Sequence, residues 1–386
     1  MPAPPRDLIP ILSTSNFLIG VGAFVIVGLV EPLGADMGIS ATQAGVLMTV
    51  YALAYAVLSP ILVALTGAVG RRRVMALGLT IFALSALASA LAPNLTVLNV
   101  ARILAAAGAG MFTPVAAATA GAIFPAEQRA RVLAAVFFGM TLAQVIGVPF
   151  GAWIAYTFGW RWAFWLVIAL ALPCIFLIWT RVPAGLQFQP VSLADLRATL
   201  ADVRMLVAVL FTGSFLGSIY VLYTFIAPLL SETMGYGRDG VTTILMTFGI
   251  GAVIGNIAGG ILADRFGWRR TLSALCLCQM AAMPAFSMLP IADAALFGLA
   301  LLWSASGWAF MSGQQMRLIG LAGAQAPVVL ALNAAAIYVG AAIGSAIGAW
   351  AIESFGIQSI GLTAGLCATF ALAHITLSAA WAPKPR

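Results

Sequence analysis

The chain is an almost unbroken succession of apolar runs, each close to 20 residues long, separated by short stretches that hold nearly all of its charge. That pattern excludes most architectures. A hydrocarbon core about 30 Å thick is crossed by roughly 20 residues of apolar helix, and backbone groups there must find their partners within the segment or in a closed barrel. Of the 386 residues 63% are hydrophobic and 8% charged, against roughly 45–50% apolar in a soluble domain. The sequence predicts an all-α membrane protein with little chain left for soluble domains.

Charged, Pro and Gly clusters delimit twelve transmembrane helices near 9–30, 42–66, 74–92, 96–121, 132–157, 162–180, 205–229, 241–262, 271–290, 294–313, 327–350 and 357–381. An even number places both termini on one side. The Lys/Arg bias makes that side the cytoplasm: Arg6, Arg71, Arg72, Arg73, Arg129, Arg131, Arg181, Arg197, Arg204, Arg265, Arg269, Arg270, Arg317, Lys384 and Arg386 fall there, 15 of the 18 basic residues. Arg161 and Arg238 fall outside, with Glu31, Asp36, Glu232, Asp239, Asp293 and Glu353. A multi-pass protein of the cytoplasmic (inner) membrane follows. The formal charge of +7 is thus topological, and no basic face interleaved with aromatics suggests nucleic acid. The start, MPAPPRDL, lacks the features of a cleaved signal, and Cys174, Cys276, Cys278 and Cys367 sit in apolar segments without metal-ligand spacing, so no metal or cofactor is expected.

An internal repeat organises these helices. The run from Gly67 to Arg73 (GAVGRRR) aligns with Asp264 to Arg270 (DRFGWRR) at an offset of 197 residues. The expected division is an N-terminal six-helix bundle over 1–181, a cytoplasmic linker over 182–203 containing Asp195, Arg197 and Asp202, and a C-terminal six-helix bundle over 204–386. Two pseudo-symmetric bundles suggest alternating access around a site near the midplane. Small residues at four-residue spacing (Ala143, Gly147 and Gly151; Gly251, Gly255 and Gly259; Gly340, Gly344 and Gly348) allow close backbone approach, and the three stripes together suggest surfaces that slide.

The same residues resemble the major facilitator superfamily, particularly its bacterial twelve-helix drug and sugar efflux branch. The loop pattern G-x-x-x-D-R-x-G-R-R is well formed from Gly260 to Arg270, including Asp264, Arg265, Gly267, Arg269 and Arg270, and degraded from Gly67 through Gly70 to Arg71, Arg72 and Arg73. Helix 4 carries Arg102 followed by Gly108 and Gly110. Helix 5 carries the G-x-P-x-G antiporter pattern, Gly147, Pro149 and Gly151, and Gly159-Trp160-Arg161-Trp162 resembles the family's outer turn. The resemblance implies the two-bundle major facilitator fold and a gating role for the loops. Gly67 stands where the family has an aspartate, so gating contacts are expected to rest on Asp264, while Arg71 to Arg73 anchor and orient.

Arg102 is the one charge placed within a span. Centrally it would cost roughly 2.5–3.5 kcal/mol, so it faces a cavity or partner unless it snorkels to the outer surface. No carboxylate lies deep in a helix, which leaves Glu31, before Pro32, and Asp36 as candidates for a proton carrier, or as solvated end charges. His374 could titrate, but a packing role is expected of it. The resemblance makes helices 1, 4, 7 and 10 line the cavity, flanked by 2, 5, 8 and 11. On these lie Asn16, Tyr51, Tyr55, Gln144, Tyr220, Tyr223, Asn256, Trp303, Trp308, Gln314, Asn333 and Tyr338, each a ligand contact or an interhelical hydrogen bond. Neutral or weakly anionic substrates suit a cavity without acids.

No H-E-x-x-H, G-x-S-x-G or paired intrahelical aspartates occur, so an enzyme is not expected. The sequence points instead to a secondary transporter, expected to be a monomer in the bilayer, exporting a small organic molecule by proton antiport. Uptake by symport or uniport is the alternative.

Overall fold

The computed structural model describes residues 7–124, 129–184, 201–322 and 326–380. The expected linker falls largely at 185–200, outside the described residues, as do Arg6, Lys384 and Arg386. No strand occurs among the described residues. The first half contains α1 (Leu8–Phe24), α2 (Ile26–Met37), α3 (Ala41–Leu65), α4 (Arg71–Ala90), α5 (Leu95–Ile123), α6 (Arg129–Leu142), a π turn (Ala143–Gly147), α7 (Val148–Phe158) and α8 (Trp160–Arg181). The second contains α9 (Val203–Tyr223), α10 (Ile226–Met234), α11 (Arg238–Ala282), a 3-10 turn (Met283–Met288), α12 (Asp293–Trp308), α13 (Phe310–Ala322), α14 (Ala326–Phe355) and α15 (Ser359–Ala380).

Twelve spans result among the described residues. α1 and α2 are one span bent by 41°, α6 and α7 one span joined through the π turn, α9 and α10 one, and α12 and α13 one. α11 holds two spans, because Gly267 has φ 75° and ψ 157°, a backbone conformation that a Cβ disfavours. The turn expected between helices 8 and 9 is therefore helical on both sides of one glycine. The tenth span runs to Ala322 rather than ending near 313, so Arg317, expected on the cytoplasmic side, lies inside α13 and is 2% exposed. No Pro or Gly pair breaks the helix before it, and buried Leu318 extends its packed face.

The chain forms two compact units: Met1–Ile39 with Val50–Pro190, and Ser40–Thr49 with Val191–Arg386. In the second unit the start of α3 packs closely. The Ser345 hydroxyl donates to the Gly45 carbonyl at 3.3 Å, and Gly45 and Gly348 leave room for the buried Phe225 ring.

The small-residue stripes seal helices inside each unit, which corrects the expectation that they form sliding surfaces. Gly147 and Gly151 receive Val21 and Val25 of the first span. Gly255 and Gly259 lie against the backbone of Ala305 and Ala309, and Gly340 and Gly344 against Gly213 and Gly217 of α9. Backbone contact at this range permits van der Waals packing along a whole helix face.

A clamp ties the end of α2 to the start of α8. Trp160 Nε1 donates to Asp36 Oδ2 at 2.9 Å and Arg161 Nη1 to the same oxygen at 2.5 Å. Gly159, at φ 99°, makes the turn that presents both donors. The ion pair is 41% and 50% exposed, so its worth is that of a surface pair. Asp36→Asn is expected to lower stability by about 0.2–1 kcal/mol, with the deficit shrinking at high salt. Thermal unfolding at two ionic strengths checks this.

A second tie joins the turn after α10 to α12. Tyr236 donates to Asp293 at 2.5 Å, and this bond pushes the phenol up to about 12, so it remains a donor throughout the neutral range.

Candidate functional site

The first span breaks at Val25, and Arg102 explains the break. Its Nη1 donates to the Gly22 carbonyl at 2.6 Å and its Nη2 to the Ala23 carbonyl at 2.7 Å. In an unbroken helix those oxygens would accept from Ile26 and Val27, four residues on. The ladder instead resumes with a tighter bond from Gly28 N to the Val25 carbonyl at 2.9 Å. A side chain inserted into the ladder is a known cause of sharp kinks. The guanidinium also stacks over the Tyr51 ring, 4.3 Å from its centroid, and Arg102 is 1% exposed. Arg102 therefore has a partner, and that partner is backbone rather than a carboxylate.

Other expected residues gather beside it in the first unit. Tyr55 follows Tyr51 by one turn, their centroids 6.3 Å apart. Thr113 donates to Asn16 Oδ1 at 3.0 Å, while Asn16 Nδ2 donates to the Val136 carbonyl at 3.1 Å. This joins α1, α5 and α6. Gln144 lies in the π turn, where Val148 N–H reaches back to the Ala143 carbonyl, an arrangement common at functional positions. Its side chain is buried and Oε1 has no partner.

The second unit repeats the scheme with different chemistry. Thr212 donates to Asn333 Oδ1 at 2.5 Å, and Gln314 Nε2 donates to the Ala208 carbonyl at 2.8 Å and to Thr212 Oγ1 at 3.0 Å. Gln314 and Asn333 thus meet across α9, α13 and α14. The span also breaks between α9 and α10, where Phe225 N–H bonds the Leu222 carbonyl at 3.2 Å, but no arginine caps it among the described residues. Tyr220 and Tyr223 lie just before this break, edge to face at 5.8 Å. Tyr223 stacks on Phe248 at 4.3 Å, and Trp303 packs against Tyr223, Phe248 and Phe286. Trp303 is thereby set within an aromatic core between helices. Tyr338 is 5% exposed on α14, whereas Asn256 and Trp308 are half-buried.

Acids are sparse. Glu31 is half-buried on α2 and accepts from Tyr156 at 2.5 Å. Asp7, half-buried before α1, pairs with Arg181 at 3.3 Å. The remaining acids among the described residues are exposed, including Asp264. In the loops, Arg71 is 3% exposed rather than solvated, Arg72 lies 4.9 Å from the Trp179 ring centroid, and Arg73 is exposed. His374 is satisfied on both sides: Nε2 faces the Val207 carbonyl at 2.9 Å and must donate, so Nδ1, 2.8 Å from Ser214 Oγ, accepts.

The partners Thr113 and Thr212 were missed in the sequence because a lone threonine carries no distinctive signal. Arg317 was visible but placed outside the span.

The model of the Major Facilitator Superfamily matches residues 12–323. This chain belongs to that superfamily. Among relatives of this facilitator are the uncharacterized MFS-type transporter YtbD of Bacillus subtilis, 31% identical over 363 residues and covering 92% of this chain and 91% of the relative. The inner membrane transport protein YdhP of Escherichia coli is 29% identical, covering 97% and 96%. A chloramphenicol resistance protein of Streptomyces lividans is 30% identical, covering 88% and 87%. A bacterial homolog of the human lysosomal transporter Spinster, solved inward-facing and unoccupied, superimposes with a TM-score of 0.78 at 17% identity over 97% of this chain and 96% of that one. A D-xylose-proton symporter gives 0.72 at 18% identity, covering 96% of each. The facilitator is a twelve-helix membrane transport protein and not an enzyme.

Proposed function

We propose that this facilitator exports a small neutral or weakly anionic organic molecule across the cytoplasmic membrane in exchange for protons, its two bundles alternating access to a central site, with both termini in the cytoplasm. The observation that carries the substrate class is the polar interior of both units, which offers amides, phenols and buried arginines but, among the described residues, no carboxylate deeper than Glu31. A permanent cation would find no counter-charge there. The relative named for chloramphenicol resistance supports export. Tyr51, Tyr55, Gln144, Tyr220, Tyr223, Gln314, Asn333 and Tyr338 are the proposed contacts, with Asn16 and Trp303 packing behind them and Arg102 holding the first span in shape. The 264–270 turn, with Asp264, is the proposed gating element.

Glu31 is the proposed proton carrier. It is half-buried in a span and accepts a hydrogen bond from Tyr156. Glu31→Gln keeps an oxygen for Tyr156 while removing the titratable proton. In inverted vesicles it is expected to reduce proton-driven flux at least tenfold while substrate counterflow persists. Undiminished driven flux would remove Glu31 from the mechanism. In wild type, flux that accelerates when substrate and protons move the same way would indicate symport, and flux indifferent to the gradient would indicate facilitated diffusion.

A further inference from the structure

Three arginines are buried in the described spans, Arg71, Arg102 and Arg317, and Arg317 is the one left with two nitrogens without a partner. Arg102 has two backbone carbonyls. Arg317, 2% exposed, makes a single hydrogen bond, from Nη2 to Ser378 Oγ at 2.8 Å, and its Nε and Nη1 have no partner. None of the ion pairs among the described residues includes it. His374, one turn before Ser378 on α15, already has both nitrogens engaged. What remains around the guanidinium is aromatic: the Trp268 ring at 5.1 Å and the Phe211 ring at 5.7 Å from the guanidinium carbon. Ring faces offset only part of the desolvation of a buried cation.

One of these rings belongs to a segment that carries further positive charge. Trp268 belongs to the 264–270 turn and is half-buried, and Arg269 and Arg270, which follow it, are exposed. Exposed arginines thus follow directly on a half-buried ring that packs against a guanidinium with two unpartnered nitrogens. We propose that Arg317 is the floor of an anion site in the second unit that takes a phosphate group, entering past Trp268 and accepting from a guanidinium edge that includes Nε or Nη1. Ser378 holds the guanidinium from behind. The phosphate can come from an anionic phospholipid headgroup or from free phosphate, since both offer the oxygens that match a guanidinium.

The test uses the purified full-length protein. Native mass spectrometry measures retention of phosphatidylglycerol against phosphatidylcholine, and thermal unfolding in phosphatidylcholine nanodiscs is followed while inorganic phosphate is titrated. Wild type is expected to bind one of these anions, and Arg317→Gln to weaken that binding about tenfold or more, with Arg317→Lys in between. Retained phosphatidylglycerol without a phosphate response identifies the headgroup as the source, and the converse identifies free phosphate. If Arg317→Gln does not fold, Trp268→Ala carries the test: it keeps the arginine, opens the cover, and is expected to shorten anion retention several-fold. The proposal is overturned if wild type binds neither anion, if Arg317→Gln binds as tightly as wild type, or if Trp268→Ala leaves retention unchanged.

Discussion

Arg102→Ala is expected to lower the stability of the folded protein by about 3–5 kcal/mol and to abolish transport. The substitution strands the Gly22 and Ala23 carbonyls at the break of the first span, out of reach of water. Each buried acceptor left without a partner costs about 1–3 kcal/mol, and the contact with Tyr51 is lost as well. The helix could recover the carbonyls only by straightening, which would carry Val25 away from Gly151, where it now packs. Arg102→Lys is expected to fall between the two, because an ammonium can approach one carbonyl but lacks the fork that engages both. Thermal unfolding with hydrogen exchange at Ile26 to Gly28 measures the effect. An unfolding temperature equal to wild type, with exchange unaltered, would refute the capping role.

Gly344→Val is expected to be nearly as damaging. A Cβ at Gly344 would collide with the Gly217 carbonyl oxygen, and one at Gly340 would lie 2.6 Å from the Gly213 oxygen. These neighbours are backbone and cannot rotate aside, so α9 and α14 must separate, and the contact would loosen along its length. Overpacking of this kind costs about 1–3 kcal/mol, and more where a whole helix pair shifts. Gly298→Ala is the control: nothing lies within 4 Å of a Cβ there, and the higher helix propensity of alanine makes it neutral or slightly stabilising. Comparing folded yield and unfolding temperature of the two variants tests the geometry. Equal behaviour would show that the helices do not meet as closely as described.

The helical architecture was legible in the sequence because burial in hydrocarbon imposes one requirement, apolar length, that every span meets separately. The breaks were not legible. That at Val25 depends on Arg102, about 80 residues later in the chain, and no local pattern announces that its partners will be carbonyls. Arg317 was misplaced for a related reason: charge in an apolar chain reads as a helix end, whereas here α13 continues through it and aromatic rings accept it. The stripes were recognised as close-packing faces, but spacing alone does not say which helix a face meets. Single polar residues such as Gln314 and Asn333 were legible as candidates. Their joining through Thr212 was not, since it depends on three helices distant in sequence.

The π turn at Ala143–Gly147 has a bearing on how this span can vary. Gly139, Ala143, Gly147 and Gly151 all face the first span, at Ser13, Gly20, Val21 and Val25. At 3.6 residues per turn, a four-residue step over-rotates by about 40°, and the looser winding of one π turn absorbs that drift. Regular α winding from 143 to 147 at unchanged length would add that drift back and turn Gly151 away from Val25. The winding of this turn, more than any single side chain in it, therefore keeps the second half of the span seated on the first.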